Sequence, residues 1–248
     1  MTKDKLEQIN KQSVMGGGLL QRMQQAKRQQ QATSSDASTM QNRIALMLDV
    51  SGSMNSNAGD MNTKRKLDYL IEAISVFVNS CNPSDTSLAI ETFPSQDTQD
   101  MSGDGMYGTV GASGGLTCNY PPLLVLIQTL RAGGGTPMAG AMRRVRDNVS
   151  VTRCVLVSDG QADFTQPCLD TARDFAEFEC PIDTVHIGSD TSGEQLLKEI
   201  AKITGGLFIK FTDLDSFSKS FKFLAPATRM MLAANNDIAR MLGATEVK

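Results

Sequence analysis

Ile44-Ala45-Leu46-Met47-Leu48 is an unbroken apolar run that ends in an acid, Asp49, with hydroxyls following at Ser51 and Ser53. A short run this apolar, bounded by polar residues and glycine, is expected to form a strand buried on both faces. That occurs in parallel sheets covered by helices on either side. Asp49 then falls at the strand's carboxyl end, the edge of an open α/β sheet where ligands bind. One carboxylate and two hydroxyls offer only hard oxygen donors, which suit Mg²⁺ or Mn²⁺ better than zinc.

The rest of the chain supports that fold class. Strands are expected over residues 43–50, 86–93, 153–158, 182–187 and 206–211. Between them lie helical patterns over 64–80, 121–131, 136–148, 166–179 and 193–204. In the first helix Leu67, Leu70, Ile71, Ile74 and Val78 recur at helical spacing. Regular alternation implies an α/β fold, a doubly wound, mostly parallel central sheet with helices on both faces. Residues 43–222 read as one such domain, interrupted by a Gly-, Ser- and Asp-rich loop at 94–119 that has room for one short edge strand. Residues 1–42 are a Gln-rich polar extension, expected to be a mobile tail or a docking segment. Residues 223–248 read as a helical extension, with Met230, Ala234, Ile238 and Met241 on one face of a helix over 226–242.

Charge and composition narrow the function. A formal net charge of −3 argues against nucleic-acid binding, which calls for a basic patch. No run approaches the roughly 18 apolar residues needed to cross a bilayer, so no membrane span is expected. The first residues, Met1-Thr2-Lys3-Asp4-Lys5, do not lead into an apolar stretch, so no secretory signal is expected. The cysteines are odd in number (Cys81, Cys118, Cys154, Cys168, Cys180) and none are spaced as CxxC. A reducing, cytoplasmic setting is therefore expected.

Three loops are placed alike. Asp49, Ser51 and Ser53 follow the first strand, Thr136 follows Gly133-Gly134-Gly135, and Asp159-Gly160 follows the strand at 153–158. Each has an ordinary reading by itself: Thr136 before Pro137 looks like a helix N-cap, and Asp159-Gly160 like a turn. If the two strands are neighbours, their loops share one crevice, and two carboxylates and three hydroxyls surround one cation.

Taken together, Asp-Val-Ser-Gly-Ser at 49–53, Gly-Gly-Thr-Pro at 134–137 and Ser-Asp-Gly at 158–160 resemble the three segments of a von Willebrand factor type A (vWA) domain. Those segments carry its metal-ion-dependent adhesion site (MIDAS), and all three are present here in the family's order. The resemblance implies that Ser51, Ser53 and Thr136 reach a metal through their hydroxyls, with Asp49 and Asp159 acting directly or through water. One position stays open for a carboxylate of a protein partner. It implies no catalytic residue, and an intracellular stand-alone protein of the kind that serves a MoxR-type AAA+ ATPase as an adaptor.

Other features have lesser readings. Asp163 and Asn55 could support the site from outside it. His186, the only histidine, is expected to be structural. Arg143-Arg144-Val145-Arg146 reads as a solvated helix face. Asp97, Asp100 and Asp104 could hold a second cation, though acids in such loops usually only solubilise. One alternative is a structural assembly component, phage- or virion-like, that exchanges its extensions between subunits. Another is a phosphatase or hydrolase with Asp49 as nucleophile. The latter wants a second acid where Ser51 stands and a lysine that the metal loops lack.

Overall fold

The structure, a computed structural model, describes residues 42–58, 64–94 and 115–211, together with the backbone of 245–246. β1 (Asn42–Asp49) lies inside the sheet, flanked by β2 (Thr86–Phe93) on one side and β3 (Arg153–Ser158) on the other. Beyond β3 come β4 (Ile182–Ile187) and β5 (Leu207–Phe211). All these neighbours pair in parallel, and a two-residue strand, β6 (Thr245–Glu246), adds antiparallel to β5. The order β2-β1-β3-β4-β5-β6 reverses direction between β1 and β3, which makes that junction the switch point where a ligand crevice opens.

Helices cover both faces. α1 (Lys66–Ser80) and α2 (Tyr120–Gln128) share one core with Ile44, Leu46 and Leu48. α3 (Met138–Asn148), α4 (Thr165–Glu177) and α5 (Thr191–Thr204) share the other with Ala45 and Met47. Alternate residues of one strand thus enter opposite cores, as a period of two requires. Each fully buried Leu contributes about 2 kcal/mol of transfer free energy.

The strands at 86–93, 153–158 and 182–187 form as expected, and the first runs over Asn42–Asp49. Most helix ends shift by one or two residues, and three differences have a local cause or consequence. α2 stops at Gln128 rather than near 131, where the Thr129 hydroxyl turns back onto the Leu126 carbonyl. α3 starts at Met138, with Pro137 in the cap position and no capping side chain, so the N-cap reading of Thr136 does not hold. Within 94–119 the described edge pairing is a single antiparallel bridge between Leu88 and Thr117. The helix expected over 226–242, the extension at 1–41 and the acids Asp97, Asp100 and Asp104 lie outside the described residues.

At the sheet's amino end, Asp183 near the start of β4 ties three strands together. Arg153 donates to both of its oxygens (Nε to Oδ2, 2.6 Å; Nη2 to Oδ1, 2.7 Å), and the Leu207 N–H donates to Oδ1 at 2.8 Å. Of the basic run on α3, Arg143 is exposed as expected, whereas Arg144 reaches the buried Glu91 at 3.0 Å and Arg146 pairs with Asp147 and Asp174.

Candidate metal centre

Asp49 closes β1 and is fully buried. One carboxylate oxygen accepts the Ser51 N–H at 2.9 Å, and the other accepts the Ser158 hydroxyl at 2.5 Å. The first contact folds the chain back over the strand end, and residues Gly52–Asn55 continue as one 3₁₀ turn. That turn sets the Ser51 and Ser53 hydroxyls 3.0 Å apart.

The glycine-rich segment lies against this turn. Gly52 N–H donates to the Gly134 carbonyl at 3.0 Å and Gly133 N–H to the Val50 carbonyl at 2.8 Å. Gly134 has φ +75°, a left-handed conformation that glycine adopts without steric cost. Thr136, nearly buried, is held by backbone alone: its N–H donates to Asp163 Oδ1 at 2.9 Å, and its carbonyl accepts the Asp163 N–H at 3.1 Å. Asp163 thus braces the Thr136 segment, while the Asn55 amide oxygen accepts from Arg65 at 3.1 Å.

Asp159 follows β3, beside β1, and is fully buried. Its carbonyl meets His186 Nε2 at 3.1 Å, which gives the lone histidine its structural place. Gly160, at φ +80°, packs backbone to backbone on Gly193 near the start of α5, and a Cβ there would lie 2.3 Å from Gly193 Cα. The loops carrying Asp49, Thr136 and Asp159 thus meet above the switch point.

Two members of the cluster were not foreseen. Ser158 bridges the strands by donating to Asp49 while accepting the Gly160 N–H at 2.8 Å. In the sequence it is the first residue of the Ser-Asp-Gly segment, with no sign that its hydroxyl reaches Asp49. Lys66, the first residue of α1 and 9% exposed, places Nζ 2.9 Å from Asp159 Oδ2. The lysine missing from the loops arrives from a helix instead, and nothing local to the sequence announces it.

The electrostatics are uneven. Burial, and next the charge of Asp159, push the Asp49 carboxyl up to about 7, while the Ser158 and Ser51 donors pull the other way. Two carboxylates are thus buried in one cluster with a single ammonium, which contacts Asp159, and the rest of the cluster is made of hydroxyls and amides. A hard dication fits that donor set. Among the described residues no three His, Cys, Asp or Glu side chains gather to hold a metal, so any site here relies on hydroxyl oxygen.

No family model matches the chain, and no curated protein does. Solved structures do. Protein BatB from Bacteroides thetaiotaomicron superposes with a TM-score of 0.57 at 15% identity, covering 78% of this chain and 100% of that one. A von Willebrand factor type A protein from Catenulispora acidiphila gives 0.60 at 18% identity, covering 75% and 42%. Proximal thread matrix protein 1 of the mussel byssus, solved with zinc in its MIDAS motif, gives 0.53 at 18% identity, covering 75% and 45%. At such identities the likeness establishes the fold: this chain has the Rossmann-like architecture of vWA domains. Among the described residues no helix is long and apolar enough to cross a membrane.

Proposed function

We propose that this vWA-fold chain is a non-catalytic, divalent-metal-dependent protein-interaction module that takes an acidic side chain of its partner at the 49–53, 136 and 159 loops. The observation that carries the reading is the meeting of those loops at the switch point, with the Ser51 and Ser53 hydroxyls 3.0 Å apart beside the buried Asp49. Ser51, Ser53 and Thr136 would hold the ion through neutral oxygens, and Asp49 and Asp159 would balance its charge. When bound, Mg²⁺ or Mn²⁺ supplies an oxygen-seeking position that a partner Asp or Glu can fill. The neighbour solved with zinc in its motif supports metal binding in this fold, while an all-oxygen donor set favours the harder ions.

The chain's own residues set the terms of binding. Ser51 N–H and the Ser158 hydroxyl orient Asp49, Asp163 holds Thr136 by its backbone, and His186 and Gly193 brace the Asp159 loop. The finer reading is a cytoplasmic adaptor whose partner works with a MoxR-type AAA+ ATPase. Lys66 does provide the phosphatase alternative with a lysine, but the general-acid position is still Ser51, so the binding reading stands ahead.

The test is capture of partners on the full chain with Mg²⁺, with EDTA, and with Asp49→Ala or Ser51→Ala. Partners should be lost with the chelator and with either variant. Capture unchanged in all three would remove the metal from the account, and phosphate release abolished by Asp49→Asn would make the chain an enzyme.

A further inference from the structure

A helix's first turn disfavours a cation, because unpaired N–H groups give that end a partial positive charge. Lys66 stands there nonetheless, and it is almost buried. Its aliphatic stem runs over Gly188, where φ is +117° and a Cβ would lie 3.1 Å from Lys66 Cε. The ammonium ends on Asp159 Oδ2 at 2.9 Å. Among the described residues Asp49 has no such cation; it accepts from an amide and a hydroxyl. A local choice that opposes helix electrostatics, in a site of separate purpose, points to a role in that site.

We propose that Lys66 is a resident counter-cation that weakens metal binding and makes the loaded site an anion receptor. This rests on the metal reading above. A dication facing two carboxylates alone would be neutralised. With the ammonium also present, the loaded cluster keeps one net positive charge, which only an anion from outside can answer. The ligand class follows: a carboxylate or similarly small oxyanion, drawn by the metal and by the charge that Lys66 leaves uncompensated. Before loading, the same ammonium holds Asp159 in place, so the site is assembled in advance and metal entry has less to order. Metal affinity is exchanged for affinity toward the acidic partner.

The experiment is Mn²⁺ titration of the full chain by calorimetry, followed by acetate titration of the Mn²⁺-loaded protein. Lys66→Gln keeps a hydrogen-bonding group but removes the charge. It should bind Mn²⁺ about tenfold more tightly and acetate about threefold more weakly. Lys66→Arg keeps the charge and should match the parent within about twofold for both. Should Lys66→Gln fail to fold without metal by circular dichroism, Asp159→Asn and the Asp159→Asn/Lys66→Gln double variant decide the matter. The double variant should then bind Mn²⁺ about tenfold more tightly than the single. Equal or weaker Mn²⁺ binding on losing the lysine charge, in a folded protein, overturns the proposal and leaves the metal site standing. A parent chain that binds no Mn²⁺ overturns both readings together.

Discussion

The sheet buries carboxylates at both of its ends, and it treats them differently. At the amino end Asp183 receives the fork of Arg153 and the Leu207 N–H. Burial still lifts its carboxyl to about 6, with Arg153 pulling it down. At the carboxyl end Asp49 receives one amide and one hydroxyl, lies next to Asp159, and is lifted to about 7 by burial and then by that neighbour. One end is a finished clip because its cation is covalently part of the chain. The other is only partly answered by Lys66, and the shortfall is the negative charge that a metal ion would meet. Equal burial therefore says little about role; what separates structure from function is whether the chain completes its own charge balance.

The largest effect should come from breaking the finished end. Arg153→Met leaves Asp183 buried without its fork, and losing one partner of a buried pair costs about 3 kcal/mol. Denaturant unfolding should show that loss, while Mn²⁺ affinity should stay within about twofold because the two carboxylates sit at opposite ends of the strands. A variant that weakened the metal as much as the fold would erase the distinction between the ends.

At the unfinished end the expected sign is opposite. Asp49→Asn should weaken Mn²⁺ binding strongly yet stabilise the metal-free chain at pH 8, where burial otherwise penalises an ionised carboxylate. The folded protein keeps the Asp49 proton up to about pH 7, against an ordinary value of 3.8. In that window the folded state binds more protons than the unfolded one. The contribution of Asp49 to the stability of the metal-free parent is therefore greatest below the ordinary value and falls as pH rises through the window. Asparagine cannot ionise, so the gap between variant and parent should be wide at pH 8 and close by about pH 4. Unfolding curves across pH, without metal, check it; a gap independent of pH would mean that Asp49 is not held protonated by its surroundings.

Smaller still are the hydroxyl deletions. Ser53→Ala and Thr136→Ala should each weaken Mn²⁺ by an amount on the order of tenfold. Ser53 is half-buried, and its deletion should move stability by roughly 0.5 kcal/mol. A titration in which neither deletion changes Mn²⁺ affinity would remove the hydroxyls from the donor set.

Much of the architecture was legible because the signals are local. Apolar runs closed by Asp49 and Ser158 mark strands, and the register that joins β1 to β3 brings their loops together with no further information. What escaped is long-range or competitive. Lys66 sits in a Lys-Arg-Lys run with no local sign of a site, and its partner lies 93 positions away. The basic turn of α3 looked exposed because the acids that bind it, Glu91 and Asp174, belong to other elements. Thr136 had the local form of a cap, but Pro137 takes the cap position and the helix begins at Met138, while the Thr136 N–H donates to Asp163.

The smallest effect, that of Asp163→Asn, separates a ligand from its support. Asp163 is exposed, and it touches the site through the Thr136 backbone: its Oδ1 accepts that N–H, and its own N–H reaches the Thr136 carbonyl. A Cβ on Gly135 would come within 3.2 Å of its Oδ2, so the carboxylate also shapes the approach of the glycine segment. Asp163→Asn retains an acceptor oxygen and the backbone bond, and Mn²⁺ affinity should change by no more than about threefold. Asp163→Ala removes the acceptor and should cost about tenfold, the scale of groups that orient ligands rather than bind metal. If the asparagine variant instead lost binding as fully as Asp49→Asn, Asp163 would be donating to the ion itself, and the carboxyl end of the sheet would hold three acids against one ammonium.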